Sequence, residues 1–318
     1  IDGAGADHLT GGAGADSFLL ASELTSDAGA KDVIHAGGGN DVIDIRSVEP
    51  SVIDGGAGAD TLIMEFGKSQ TVVLHIASVE KLVIPTLAVV DVALTNADVA
   101  AGRTLVVDAS ASGLKQIDGS AGSTIDGSAV AHGKLDIVGA TKFANVFTGG
   151  ALADHLQGGK FGDVIAGGGG NDTILGTGKL DGGSGNDLIK PFLFDPNLFD
   201  PALGQASFKT TITGGAGADV FDFRTVALAD IAPDFSITIT DFDALSDRFD
   251  LPVAVTAIDA KMTVSGLQHE FDLPGVVTPS HLHAHHAVVV HSNGPGISDT
   301  WLVVDANGKA GFQVQGAT

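Results

Sequence analysis

The chain has 318 residues, 39 acidic against 16 basic side chains, a net charge of −23, and neither cysteine nor tyrosine. That balance repels phosphate and anionic lipid, so it argues against nucleic-acid and membrane-surface partners and in favour of cations. Aspartate supplies 34 of the acids and glycine 45 positions, a mixture suited to turns and oxygen-rich metal sites, while a 44% hydrophobic fraction is enough for a core.

Residues 1–67 are built on a nine-residue unit. From 2 to 19 the sequence reads DGAGADHLT GGAGADSFL, with a glycine-rich opening, an aspartate sixth and a large apolar residue eighth, and further copies begin at 36 and 55, Asp2 and Ala36 replacing the first glycine. Asp7, Asp16, Asp41 and Asp60 share the sixth place; Leu9, Phe18, Ile43 and Leu62 share the eighth. A glycine turn therefore alternates with a very short strand, and composition bias alone does not couple an acid to an apolar residue two places on in every copy. The copies at 11, 36 and 55 are 25 and 19 residues apart, so SELTSDAGAK reads as an insertion bulging from the coil.

From 68 to 148 the motif fades, but strand-like runs continue: TVVLHI, EKLVI, VVDVAL, RTLVVDAS, LKQIDGS, STIDGS and KLDIVGA. Apolar and polar residues alternate and Gly, Asn, Asp and Ser punctuate them, as in solenoid rungs without metal. At 149–190 the unit returns in tandem as GGALADHLQ GGKFGDVIA GGGGNDTIL, placing Asp154, Asp163 and Asp172 sixth and Leu156, Ile165 and Ile174 eighth. The next turn, GTGKLD, is cut short but keeps Asp181 sixth, so Asp181 is expected to stack over the 158 turn, with a kink where the strand is missing. The copy at 182 carries Asp187 and Ile189.

Residues 191–212 are rich in Pro and Phe and read as a loop covering an open edge. Residues 213–318 hold a last copy with Asp219 and Phe221, then SITITDFDALSDRFDLP with the acid cluster Asp241, Asp243, Asp247 and Asp250, and finally strand-like runs with a hairpin signal at Asn307 and Gly308.

The unit GGAGADSFL resembles the nonapeptide of the RTX (repeats-in-toxin) calcium-binding proteins, Gly-Gly-x-Gly-x-Asp-x-apolar-x. The resemblance implies an all-β fold, a right-handed parallel β-roll or β-solenoid in which two nonapeptides make one coil, with a carboxy-terminal β cap and calcium between turns stacked on one side. The copies at 149 and 167 are then expected to share an ion. It also implies a bacterial protein exported by type I secretion to the cell surface, of S-layer-like kind, with several calcium ions held by the ten aspartates from Asp7 to Asp219 already named. Backbone carbonyls of Gly149, Ala151, Gly158, Gly167, Gly169 and Gly182 complete the set, and Asp241, Asp243, Asp247 and Asp250 are further candidates.

The chemistry is consistent with that expectation on its own terms. Calcium takes about six to eight oxygens, and a turn without Cβ atoms can aim several carbonyls inward while one aspartate adds charge. One turn supplies about half a shell, so a second must stack on it, and binding joins neighbouring coils.

Elsewhere, His281, His283 and His285 would share one face of a strand, with His286 and His291 near, and imidazoles so spaced can bind zinc, copper or nickel. With no acid or cysteine interleaved, a histidine-rich polar loop is the favoured reading. HExxH and GxSxG signatures are absent from the sequence, so no enzyme is expected within it. No apolar run reaches the roughly 18 residues of a membrane helix, and the first residues already lie inside a repeat, so the chain is expected to begin within a longer protein. Three roles fit: a calcium-folded structural protein of a surface layer, filament or other large exported protein; an accessory module of a secreted hydrolase or epimerase; an adhesin for surface polysaccharide.

Overall fold

The structure is a computed structural model and describes residues 6–20, 32–46, 52–65, 70–85, 90–111, 122–141, 143–192, 208–224, 235–251, 254–264, 276–292 and 300–305. The SELTSDAGAK insertion, the first IDGS copy, nearly all of the Pro/Phe-rich segment and the Asn307–Gly308 turn lie outside or largely outside these residues. The chain forms two units, one of Ile1–Asp222 with Asp230–Phe249, the other of Phe223–Ala229 with Asp250–Thr318.

The first unit is a parallel solenoid. One sheet has eleven strands: β2 (Ser17–Leu20), β4 (Val42–Ile45), β6 (Thr61–Met64), β9 (Lys81–Val83), β11 (Thr104–Asp108), β13 (Lys134–Val138), β15 (His155–Gln157), β17 (Thr173–Gly176), β19 (Leu188–Pro191), β21 (Val220–Asp222) and β23 (Arg248–Asp250). The strands between them in sequence form two further sheets. A four-stranded one contains β1 (His8–Thr10), β3 (Val33–His35), β5 (Val52–Asp54) and β8 (Ile76–Ala77). An eight-stranded one contains β7 (Gln70–Val73), β10 (Val90–Thr95), β12 (Thr124–Ala129), β14 (Val146–Thr148), β16 (Asp163–Ala166), β18 (Gly178–Ser184), β20 (Phe208–Ala216) and β22 (Phe235–Ile239).

The eighth-place apolar residues explain the register. Phe18, Ile43, Leu62, Leu82, Val107, Ile137, Leu156, Ile174, Ile189 and Phe221 pair one to the next along the eleven-stranded sheet. All but Phe18 are fully buried. Val92, Ile125, Phe147, Ile165, Leu180 and Ile212 form the facing ladder. A coil this thin offers one or two inward positions per strand, and each such side chain contributes about 1.5–3 kcal/mol on burial. The motif-poor middle, through Leu82, Val107 and Ile137, belongs to the same ladder, so the all-β parallel solenoid is continuous across it.

Coil length varies while register does not. The same place recurs after 15 residues between Asp172 and Asp187, and after 32 between Asp187 and Asp219. At the far end Phe221, Phe242 and Phe249 close the coil, the last two stacked with centroids 4.5 Å apart.

The second unit has its own core of Val277, Leu282, Val288, Val290 and Val303. Its strands are β24 (Ala257–Ile258), β25 (Met262–Val264), β26 (His286–Ser292) and β27 (Thr300–Val304); β26 pairs parallel with β24 and β25 and antiparallel with β27.

Candidate metal centre in the stacked turns

The sixth-place aspartates form a relay along the solenoid. Each carboxylate turns Oδ1 toward the backbone N–H of the equivalent residue one coil earlier: Asp16 N–H donates to Asp41 (2.7 Å) and Asp41 N–H to Asp60 (2.8 Å). In the second series Asp154 N–H donates to Asp172 (2.8 Å), Asp172 N–H to Asp187 (2.8 Å), Asp187 N–H to Asp219 (2.9 Å) and Asp219 N–H to Asp247 (3.0 Å). The turns thus fall into two stacks, one of the copies at 11, 36 and 55, the other of the copies at 149, 167, 182 and 214.

The second carboxylate oxygen is what makes these stacks unusual. Asp41, Asp60, Asp172, Asp187 and Asp219 are at most 1% exposed, and their Oδ2 atoms are buried without a hydrogen-bond partner among the described residues. In the copy that opens each stack, Oδ2 is instead bonded by its own turn: Gly12 N–H donates to Asp16 and Gly150 N–H to Asp154, both at 2.6 Å. The difference lies in the second glycine, which is left-handed in every later turn (Gly37, Gly56, Gly168, Gly183, Gly215; φ between +90° and +103°) and not in the first. In these turns no N–H of the second glycine is bonded to Oδ2, and the left-handed conformation that goes with this suits only glycine.

Carbonyls converge on the same place. A Cβ at Gly149 would meet Gly167 O and Asp154 Oδ2 (2.7 Å), one at Gly167 would meet Asp172 Oδ2 and Gly182 O, and one at Gly182 would meet Asp187 Oδ2 and Gly214 O. The carbonyls of Gly150 and Gly168 accept from Gly169 and Ser184. Among the described residues, no backbone N–H donates to those of Gly149, Ala151, Gly167 or Gly169. Glycine-cleared space bounded by unpartnered carboxylate and carbonyl oxygens fits a hard cation. Leaving an anionic oxygen buried without one is costly, and burial accordingly raises the Asp172 carboxyl to about 7 and the Asp187 carboxyl to about 6, with adjacent aspartates adding repulsion.

Other expected residues sit differently. Asp163 has both oxygens engaged by protein, Oδ1 by Asn145 N–H and Nδ2 (both 2.9 Å) and Oδ2 by Thr177 N–H (3.3 Å), so the Gly158 turn has no orphan carboxylate oxygen. Asp181 does not stack over that turn: it lies on β18 opposite Ala166, because Thr177 alone joins β17 to β18 and no kink is needed. It is the residue before the 182 glycines, as Asp54 is before Gly55. Asp7 donates its N–H to Asp32 Oδ1 (2.9 Å), and the residues before Ala6 lie outside the described ones.

In the acid cluster, Asp241 accepts from Gly214 and Gly215 (2.8 Å each) and Asp247 receives Asp219 N–H, so both extend the last turn. Asp243 instead closes its own loop through Leu245 N–H, and Asp250 lies on β23 with Arg224 at 3.9 Å.

Several contributors were missed from sequence. Asn40, Asn171 and Asn186, in fifth place, form a second relay by accepting from Ala59 (3.0 Å), Asn186 (2.8 Å) and Ala218 (2.8 Å); the recurring Asn-Asp pair was the available signal. Glu80 takes Asp60 N–H at the end of the first stack. Asn145 sits sixth before Phe147 in ATKFANVF, a copy without glycines, and its Nδ2 donates to Ala140 O, Phe143 O and Asp163 Oδ1. An amide there engages oxygens that a cation would otherwise serve.

The histidines do not share a strand face, since 281–285 form turns and His285 is left-handed (φ 61°). His281 Nδ1 bonds Val276 O (2.9 Å), while His283 and His286 both reach Asp259.

Coil, turn and orphan oxygen together define a calcium-binding parallel β-roll. The family profile described as the RTX calcium-binding nonapeptide repeat (4 copies) matches residues 1–21, 29–44, 51–67, 148–178 and 211–224. The chain carries RTX calcium-binding nonapeptide repeats, and these repeats bind calcium, several ions across the turns. The copy at 182 lies outside the matched ranges although it is stacked between those at 167 and 214. No curated protein and no solved structure matched the chain.

Proposed function

We propose that the chain is an extracellular, non-enzymatic structural protein, exported unfolded by type I secretion and folded by calcium outside the cell, where it serves in a surface layer, filament or other large exported protein. The observation that carries this reading is that, among the described residues, each turn stacked after the first of its series has a buried Oδ2 without a partner, on Asp41, Asp60, Asp172, Asp187 and Asp219. In calcium-poor cytoplasm these charges, within a net charge of −23, oppose folding and keep the chain extended for export. Where calcium is millimolar, each ion offsets the buried charge and fastens one coil to the next, so binding and folding are one event.

The test is a calcium titration of the EDTA-stripped chain, with magnesium as control, followed by circular dichroism and by size exclusion with light scattering. Cooperative gain of β-structure with calcium alone supports the folding role, and a simultaneous rise in mass supports surface assembly. A stripped chain already folded and indifferent to calcium overturns it.

A further inference from the structure

The second unit holds a cluster of a different kind. Asp259 Oδ1 is approached by His283 Nδ1 at 2.8 Å and His286 Nδ1 at 2.9 Å, and the three residues each offer a ligand atom within 4.8 Å of the other two. These side chains come from two places in the chain, the residue after β24 and the turn leading into β26, and strand pairing brings them together: Ala257 pairs with His286, and Asp259 N–H donates to Ala287 O (2.7 Å).

We propose that Asp259, His283 and His286 form a binding site for a zinc-class transition-metal ion, separate from the calcium turns. Two imidazole nitrogens and one carboxylate oxygen suit a late first-row divalent ion, whereas calcium takes oxygen ligands. Tetrahedral donors at zinc bond lengths stand about 3.3 Å apart, so the two Asp259–histidine distances lengthen by about half an ångström to admit the ion. Each imidazole then carries its proton on Nε2, and the ion replaces the two Nδ1 protons that now face Asp259. Water completes the shell on the side where His283 is exposed.

The donors are held in place by the fold. His283 N–H donates to Asp259 Oδ2 (2.8 Å), which sets the carboxylate so that Oδ1 faces both rings. The intervening turn is fixed by His286 N–H to His283 O (3.1 Å), by His285 N–H to Asp305 (2.6 Å) and by Thr256 N–H to His285 O (2.9 Å). Leu282 and Val288, on either side of the histidines, are in the unit's core. An outer hydrogen bond that fixes a ligating carboxylate, as His283 N–H does here, is one arrangement by which proteins raise metal affinity.

The experiment uses the whole chain in excess calcium, so that the repeat turns are filled, and titrates zinc against a chromogenic chelator, with cobalt absorption as a second readout. The expected result is one zinc site per chain with tetrahedral-type cobalt bands, weakened by at least about tenfold in Asp259→Asn and lost in the His283→Gln/His286→Gln double variant, with calcium binding unchanged. Circular dichroism in calcium establishes that the variants are folded, and His281→Gln, whose ring is bonded elsewhere, serves as the control that keeps the site. Equal zinc uptake by the wild type and the folded double variant, or no uptake by the wild type, overturns the proposal.

Discussion

At the scale of single residues, one carboxylate oxygen holds the fold together and the other is committed to calcium. Asp172→Asn keeps an oxygen for Asp154 N–H but removes the buried charge. In EDTA the variant is expected to melt at a higher temperature than the wild type, and in calcium at a lower one, with apparent calcium affinity reduced about tenfold or more because ligand charge sets affinity. Thermal melts under the two conditions check the crossing; a shift of the same sign in both contradicts it.

Proton and calcium compete for the same oxygen. The unfolded carboxyl titrates near 3.9, and the folded Asp172 and Asp187 carboxyls at about 7 and about 6. Metal-free folding therefore takes up protons at these two groups, and the stability they contribute is fully present below about 4 and is lost as pH rises to about 7. Calcium stabilisation runs the opposite way through that window. Melts at pH 5 and pH 8 should rank in opposite order with and without calcium.

The sixth-place aspartates were readable from sequence because glycines frame them. Asn145 was not, since its copy has no glycine frame, nor was the seat of Asp181, where a one-residue corner at Thr177 and a strand stand in place of the expected turn and kink.

At the scale of elements, each strand supplies one ladder residue and each later turn two left-handed glycines. Ile174 is fully buried between Leu156 and Ile189, and Ile174→Ala is expected to cost about 2–5 kcal/mol in calcium-loaded melts. Two glycines separate strain from crowding. Gly102 (φ +73°) has open space where a Cβ would go, so Gly102→Ala carries only the left-handed penalty of about 1–2 kcal/mol. Gly183 (φ +96°) has Gly168 O in that space, so Gly183→Ala must also push two coils apart. Gly183→Ala should be the more destabilising of the two in calcium, and equal losses would show that turn stacking contributes little.

Strand and turn were legible at this scale because an eighth-place apolar residue follows every turn. The middle was legible as strands but not as a register, because coil length there is set by hydrogen bonding between neighbours and not by a fixed period. The histidine-rich segment was favoured as a polar loop over a strand face, and it is one: Thr278 and Ser280 close a turn through their hydroxyls and His281.

At the scale of the whole molecule, the two calcium stacks are separated by coils that lack the glycine-framed turn. Between them the ladder runs through Leu82, Val107 and Ile137, Asp98 is satisfied by Ile76 and Thr95, and Asn145 engages oxygens with an amide. A solenoid is quasi-one-dimensional, so each coil's stability depends on its own terms and its neighbours'. Gradual chelation should therefore open the molecule unevenly: hydrogen exchange is expected to rise first around 36–64 and 167–190, while amides of 104–108 and 134–138 stay protected to lower free calcium. Asn145→Asp would extend the second stack's dependence inward by leaving a charge where the amide stood, and protection at 134–138 in that variant should then follow calcium as it does at 173–176. Loss of protection in one step along the entire solenoid would mean that the middle has no stability of its own and that calcium organises every coil.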